Sequence, residues 1–169
     1  MNNNDVLRRL RFVFDFNDSR MISIFKQAEH DVSRAQISDC LKKDDDPAYQ
    51  ECTDTLLAIF LNGLINDKRG KKDGPQAIPE AKLTNNIIFN KIKIALNLKA
   101  EDVLAILELA EFRISKHELS AFFRKPGHKH YRECKDQILR NFLNGLQHKY
   151  RADSESAPAF EWKQSSDGE

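Results

Sequence analysis

Residues 49–64 read YQECTDTLLAIFLNGL, and residues 131–146 read YRECKDQILRNFLNGL. The two copies lie 82 positions apart and share Tyr, Glu, Cys, Asp and the block FLNGL. The same offset aligns residues 4–69 with residues 86–151 without a gap, and apolar positions outside the motif also match. Solenoid repeats have shorter periods, of about 20–50 residues. The sequence therefore predicts two copies of one small unit.

Apolar residues within each unit recur with the helical period of about 3.6 residues, and this predicts four helices per unit. In the first unit we expect them at residues 5–16, 19–28 and 34–43, with a fourth starting at residue 54. Side-chain oxygens next to these starts predict N-caps. The predicted caps of the first unit are Asn4, Asp18, Ser33 and Asp54, and those of the second are Asn86, Ser115 and Asp136.

The predicted fold class is all-α, a tandem duplication of a four-helix unit with pseudo-two-fold symmetry, packed as one compact body. The repeats are expected at residues 4–70 and 86–151, joined by a linker at residues 71–85 whose first part, residues 71–79, is polar and rich in Gly and Pro. Residues 152–169 are acidic and poor in apolar residues, which predicts a disordered tail. Phe160 and Trp162 in this tail are candidates for docking onto a partner.

Composition predicts a soluble cytoplasmic protein. Of 169 residues, 40% are hydrophobic and 31% charged, which is typical of globular proteins. The sequence has no apolar run of about 18 residues, so no membrane segment is expected. The N-terminus does not have the pattern of a signal peptide. Three widely spaced cysteines fit a reducing compartment better than a disulfide framework.

Three features give the chain a family resemblance: FLNGL in duplicate, the repeated Tyr-x-Glu-Cys-x-Asp, and Arg-Gly-Lys at residues 69–71. On these the chain resembles the bacterial YehS-like family of small proteins, a duplicated domain of unknown function, over residues 4–151. The resemblance implies an all-helical cytosolic protein. It supplies no catalytic motif that could be placed on this sequence.

The repeated motif contains two features with possible chemistry. Cys52 and Cys134 precede a predicted helix start, where a thiolate would be stabilised, although cysteine more often acts as a small buried hydrophobe. Glu51 and Asp54, with their counterparts Glu133 and Asp136, could share a proton or a metal ion. Helix capping is the simpler interpretation of these carboxylates, and we predict no catalytic residue among them.

Histidines 128 and 130 lie four to six residues before Cys134, and imidazole and thiolate are zinc ligands. The first unit has Asp46 and Ala48 at the positions of the two histidines. The pattern is therefore a weak zinc signal, and a solvated basic loop is the preferred interpretation. We predict no metal and no cofactor.

Each copy of FLNGL places an Asn-Gly pair inside an apolar helical pattern, as Asn62-Gly63 and Asn144-Gly145. Glycine within a helix costs about 1 kcal/mol relative to alanine, so a compensating contact is expected. We predict that the two glycines mark a contact between the fourth helices of the two units. The alternative is a small pocket floored by glycine, in which the asparagine amides face a ligand.

The two units differ most in charge. Residues 4–70 contain ten Lys or Arg and twelve Asp or Glu, whereas residues 86–151 contain thirteen and seven. The excess of positive charge lies within residues 113–135. It forms a predicted basic face of Arg113, Lys116, Arg124, Lys125, Lys129, Arg132 and Lys135. The equivalent stretch of the first unit, residues 31–53, has six acidic residues and three basic ones.

A basic face of this kind predicts binding to a negatively charged partner. The first hypothesis is a non-enzymatic interaction or regulatory protein that contacts a protein partner or a second copy of itself. The second is a nucleic-acid-binding regulator, because residues 103–125 have the outline of a helix-turn-helix. Its turn lacks the usual glycine. An enzyme ranks third, since no set of catalytic or phosphate-binding residues occurs at usable spacing.

Overall fold

The computed structural model describes residues 1–151, and all regular secondary structure in this range is helical. The first unit contains α1 (Asn3–Phe14), α2 (Asp18–Gln27), α3 (Arg34–Leu41) and α4 (Asp54–Arg69). The second unit contains α5 (Asn85–Ala95), α6 (Ala100–Leu109), α7 (Lys116–Ala121) and α8 (Asp136–Arg151). This architecture confirms the predicted all-α duplication. The predicted tail at residues 152–169, with Phe160 and Trp162, lies outside the described residues.

Each unit is compact by itself, and the boundary falls between Leu83 and Thr84. In the first unit α4 packs along α2, and α1 contacts both α3 and α4. The second unit repeats the main pairing, with α8 along α6 and with α7 also on α6. The apolar stripes predicted from the helical period fill both cores. Their largest fully buried side chains include Leu7, Leu10, Ile24, Phe25, Phe60, Leu64, Phe89, Ile92 and Phe142.

The helix starts confirm some predicted caps and correct others. Ser33 and Ser115 cap α3 and α7, and each accepts a hydrogen bond from the backbone N–H three residues on. The predictions of Asn4, Asn86, Asp18 and Asp54 as caps are wrong. The observed caps are Asn2, Thr84, Asn17 and Thr53, each with a side-chain oxygen that accepts a backbone N–H. Asp136 is the first residue of α8, not its cap.

The predicted caps failed because several polar residues precede each helix, and burial decides which one is available. Asn2 is exposed and caps α1, whereas Asn4 is 1% exposed and makes long-range contacts instead. Lys99 precedes α6 and makes no side-chain cap bond. The carboxylate of Asp102 compensates by accepting the backbone N–H of Lys99 at 2.8 Å, in keeping with the acidic first turn that stabilises a helix N-terminus.

The glycines of FLNGL lie where α4 and α8 pack on the second helix of their own unit. A Cβ atom at Gly63 would lie 2.0 Å from the carbonyl oxygen of Ile24, and one at Gly145 would lie 2.0 Å from that of Ile106. The prediction that these glycines mark a contact between the two fourth helices is therefore wrong. The atoms that require glycine belong to α2 and α6. Asn62, next to Gly63, is buried.

The predicted linker is attached to the first unit over much of its length. The side chain of Asn66 donates to Gln76 at 3.0 Å, and the hydroxyl of Thr55 donates to the carbonyl of Glu80 at 3.3 Å. The backbone N–H of Leu83 donates to the carboxylate of Asp54 at 2.9 Å. Residues 71–83 thus run back along α4 before α5 begins.

Candidate interaction surfaces

A buried asparagine fixes the loop that follows α3. The amide nitrogen of Asn4 donates to the carbonyls of Cys40 and Gln50, both at 2.9 Å. Its side-chain oxygen accepts the backbone N–H of Cys52 at 2.9 Å. One side chain of α1 therefore links the end of α3 to the far end of the loop before α4. Asn4 can be buried because its polar atoms are paired.

Asn86 repeats this arrangement in the second unit. Its amide nitrogen donates to the carbonyls of Phe122 at 3.0 Å and Arg132 at 2.8 Å, and its oxygen accepts from the backbone N–H of Cys134 at 2.9 Å. The sequence interpretation missed this role. A signal was present, since the Asn-Asn pair at residues 3–4 recurs at residues 85–86.

The backbone of the two loops matches turn by turn. In the first unit the N–H of Asp46 donates to the carbonyl of Lys43 at 3.0 Å, and that of Tyr49 donates to the carbonyl of Asp46 at 2.9 Å. In the second unit the N–H of His128 donates to Lys125 and that of Tyr131 donates to His128, both at 2.9 Å. The two units therefore present different side chains from one backbone conformation.

At one position of the loop, side chains of different charge accept the equivalent backbone hydrogen bond in the two units. The carboxylate of Asp46 accepts the backbone N–H of Ala48 at 2.8 Å. At the equivalent position Nδ1 of His128 accepts the backbone N–H of His130 at 3.0 Å. The carboxylate adds a negative charge to the first loop, whereas the imidazole, which accepts through an unprotonated Nδ1, adds none.

In the second unit, α7 and the following loop line an open groove of about 620 Å³, here called the basic groove. It is lined by His117, Glu118, Ala121, Phe122, Lys129, His130, Tyr131, Arg132, Glu133 and Lys135. Lys129, Arg132 and Lys135 belong to the basic face predicted from sequence. Glu133 pairs with Lys135 at 3.3 Å. The first unit has uncharged residues at the positions of the five Lys, Arg and His residues.

The other four residues of the predicted basic face do not line the groove. Arg113 pairs with Glu108 at 3.6 Å, and Lys116 pairs with Glu101 at 2.7 Å. Exposed ion pairs of this kind contribute about 0–1 kcal/mol, but they neutralise part of the charge. Arg124 and Lys125 follow α7 and are exposed. The structure thus divides the predicted face into a groove, two ion pairs and the exposed residues 124–125.

Three histidines lie together at the basic groove. The ring centroids of His128 and His130 are 5.4 Å apart, and those of His117 and His130 are 6.5 Å apart. The sequence interpretation identified residues 128 and 130 but not His117, because no local spacing links a residue of α7 to a loop eleven positions away.

The equivalent surface of the first unit is acidic. Its loop contains Asp44, Asp45, Asp46 and Glu51, here called the acidic loop, and Asp44, Asp45 and Glu51 are exposed. On α3, Asp39 pairs with Lys42 at 2.6 Å. The two units therefore expose opposite charges from equivalent loops.

The cysteines of the motif are buried and poor nucleophiles. Cys52 and Cys134 are each 1% exposed. Burial raises the pKa of both thiols to about 12, so they are protonated at neutral pH. The alternative of a stabilised thiolate is wrong, because desolvation outweighs the helix N-terminus. Within residues 1–151 no group of three His, Cys, Asp or Glu side chains is arranged to hold a metal ion.

The carboxylate of Asp54 has a local structural role. It accepts hydrogen bonds from the amide of Asn3 at 2.7 Å and from the N–H of Leu83 at 2.9 Å. These two donors lower the pKa of Asp54 below its usual value. Asp136 accepts from Asn85 in the same way, at 2.7 Å. The carboxylate that was a candidate for proton sharing instead joins the starts of two helices.

The helix pair α6 and α7 has the order predicted for a helix-turn-helix, with Ser115 as the cap of the second helix. α7 spans six residues, and at a rise of about 1.5 Å per residue it is about 9 Å long. This leaves little length for base contacts along a DNA groove. Within residues 1–151, no helix has both the length and the apolar character needed to cross a membrane.

Comparisons with known proteins agree with the internal repeat. The model of the family described as "Protein of unknown function (DUF1456)" matches the chain twice, at residues 3–70 and 85–152. The chain is also 43% identical over 147 residues to "Uncharacterized protein YehS" of Escherichia coli (strain K12), a match that covers 86% of this chain and 94% of that protein. No solved structure matches. The predicted resemblance is confirmed.

Proposed function

The chain belongs to the DUF1456 family of proteins of unknown function, and we propose that it is a non-enzymatic interaction protein that binds a negatively charged protein segment. The basic groove is the proposed binding site. The observation that carries the proposal is the contrast between the two loops, which share one backbone conformation and the same buried asparagine but expose opposite charges. Both loops adopt the same scaffold, so the scaffold itself does not depend on the sign of the loop charges.

The composition of the basic groove favours a protein segment over a uniformly charged polymer. Lys129, Arg132 and Lys135 supply positive charge, whereas Glu118 and Glu133 would repel a continuous row of phosphates. Tyr131, which is half-buried, adds apolar surface. A peptide that alternates carboxylates with apolar side chains matches such a surface in both respects, since charge complementarity fixes register and apolar contact adds affinity.

Nucleic acid is the second candidate. Lys125 and Arg124 extend the positive charge beyond the groove and are exposed, and contacts of this type to phosphates give binding that falls steeply with salt. The short α7 and the two groove carboxylates count against it. A duplex DNA of mixed sequence is therefore the competing ligand in the test.

The test is fluorescence anisotropy with a labelled peptide rich in Glu and Phe, and with labelled duplex DNA, at about 50 mM salt, where charge interactions are weakly screened. We expect the peptide to bind and the double variant Lys129→Glu/Arg132→Glu to weaken its binding at least about tenfold. The matched control Lys72→Glu/Lys82→Glu makes the same charge change at exposed positions of the first unit and should leave binding within about twofold. Tighter binding of DNA than of peptide would reverse the order of the two candidates.

We also propose that the protein acts in the cytoplasm. Three free cysteines, all buried, support this proposal, because they fit a reducing compartment. Fractionation of cells that produce the tagged chain would test it, and recovery in the secreted or membrane fraction would contradict it.

A further inference from the structure

We infer that the acidic loop of one copy of this chain docks into the basic groove of a second copy. The inference rests on the proposed function and names the binding partner. The two surfaces occupy equivalent positions in the two units, so every copy carries one of each. Within residues 1–151, no other stretch of eight residues contains as many exposed carboxylates as residues 44–51, where Asp44, Asp45 and Glu51 are exposed.

The acidic loop is exposed on the first unit. Its two turns are closed by the hydrogen bonds from the N–H of Asp46 to Lys43 and from that of Tyr49 to Asp46, and Asp44 and Asp45 are exposed. Pro47 and Ala48, next along the loop, are exposed and uncharged. The loop thus offers carboxylates followed by a small apolar segment, which is the pattern that the basic groove favours.

The conformation of the acidic loop is fixed before binding. Asn4 holds its far end through the carbonyl of Gln50 and the N–H of Cys52, and Asp46 accepts the N–H of Ala48. Asn86 fixes the groove through the carbonyl of Arg132. Two preformed surfaces lose little conformational entropy on association. The favourable interaction between their charges is therefore offset less, and the affinity is higher.

The contact joins different surfaces of the two copies. A pair can therefore make it twice, as a reciprocal two-fold dimer, or once, which leaves one loop and one groove for further growth. Association should accordingly increase with protein concentration. It should decrease with salt, because exposed charges are screened within about 10 Å at 0.1 M salt.

Sedimentation velocity of the full chain tests the inference, at about 100 µM protein, a concentration that detects weak association. At about 50 mM salt, where screening is weak, the wild type should sediment above the 19.5 kDa monomer. The groove variant Lys129→Glu/Arg132→Glu should be monomeric, and so should the loop variant Asp44→Lys/Asp45→Lys. The control Lys72→Glu/Lys82→Glu should behave as the wild type.

The decisive experiment is sedimentation of a mixture of the two monomeric variants. The groove variant retains an acidic loop and the loop variant retains a basic groove, so an equimolar mixture should form complexes that neither variant forms alone. A monomeric wild type, or a mixture that stays monomeric, overturns the inference. If the wild type is monomeric while peptide binding still depends on Lys129 and Arg132, the proposed function stands. If the groove variant binds peptide normally, the proposed function falls by itself.

Discussion

At the scale of single residues, two asparagines and two glycines show why particular positions recur in both units. Asn4 and Asn86 each pair with three backbone groups that lie between 36 and 48 residues away. Gly63 and Gly145 allow a helix to approach a carbonyl of its neighbour. These contacts are long-range, so local patterns of capping or helix propensity do not reveal them. The repeat showed that the residues matter without showing what they touch.

Gly63→Ala should destabilise the first unit, because its Cβ would meet the carbonyl oxygen of Ile24 at 2.0 Å and the backbone of two helices must separate. We expect a loss of about 1–3 kcal/mol, the usual cost of overpacking a core, measured by urea denaturation. Gly127→Ala is the matched control, since a Cβ there meets nothing within 4 Å. Equal stability of the two variants would contradict the packing role.

Cys134 should resist labelling by a thiol reagent in the folded protein. Burial raises its pKa to about 12, and the thiolate is the reactive form. We expect labelling at pH 8 to be at least about a hundredfold slower than in urea, since about one thiol in ten thousand is ionised four units below its pKa. Comparable rates with and without urea would show an accessible thiolate.

The same pKa shift fixes the sign of a pH effect. The folded protein holds the Cys134 proton to higher pH than the unfolded chain does, so stability should fall as the pH rises above the ordinary thiol pKa of about 8.5 toward 12. Cys134→Ala should make this decline shallower. An unchanged slope would mean that the thiol is already accessible in the folded state.

At the scale of elements, the loop after the third helix is the part of each unit that can vary. Ser33 and Ser115 were predicted correctly as caps because their hydrogen bonds are local. Of the seven predicted basic residues, three line the groove, two form ion pairs and two are exposed beyond α7. The sequence could not predict this division, because only the folded backbone determines which side chains meet. His117 joins the groove for the same reason.

Asn86→Ala should loosen the basic groove as well as destabilise the second unit. It leaves the buried carbonyl of Phe122, the part-buried carbonyl of Arg132 and the buried N–H of Cys134 without their partner, and each unsatisfied buried group costs about 1–3 kcal/mol. We expect lower stability by urea denaturation and weaker peptide binding by anisotropy. Gln137→Ala, at an exposed position of α8, is the control and should change neither. Full peptide affinity in folded Asn86→Ala would show that the loop does not depend on this clamp.

At the scale of the whole molecule, the chain contains two copies of one helical unit, and the two copies expose different surfaces. The repeat, the helical period and the apolar stripes predicted the fold class and much of the core. Charge counts predicted which unit carries the basic surface. The path of residues 71–83 along α4 could not be predicted, because it depends on side chains such as Thr55 and Asn66 that face the segment only after folding.

The central claim is that charge, presented on a shared scaffold, makes the second loop and not the first a binding site for an acidic segment. The most direct measurement is mapping of amide chemical shifts by NMR as the Glu- and Phe-rich peptide is added to the full chain, at a protein concentration and salt at which sedimentation shows a monomer. We predict that shifts concentrate in residues 117–135 of the second unit and are absent from the equivalent residues 35–53 of the first. Equal shifts in both loops, or shifts confined to other parts of the chain, would contradict the account.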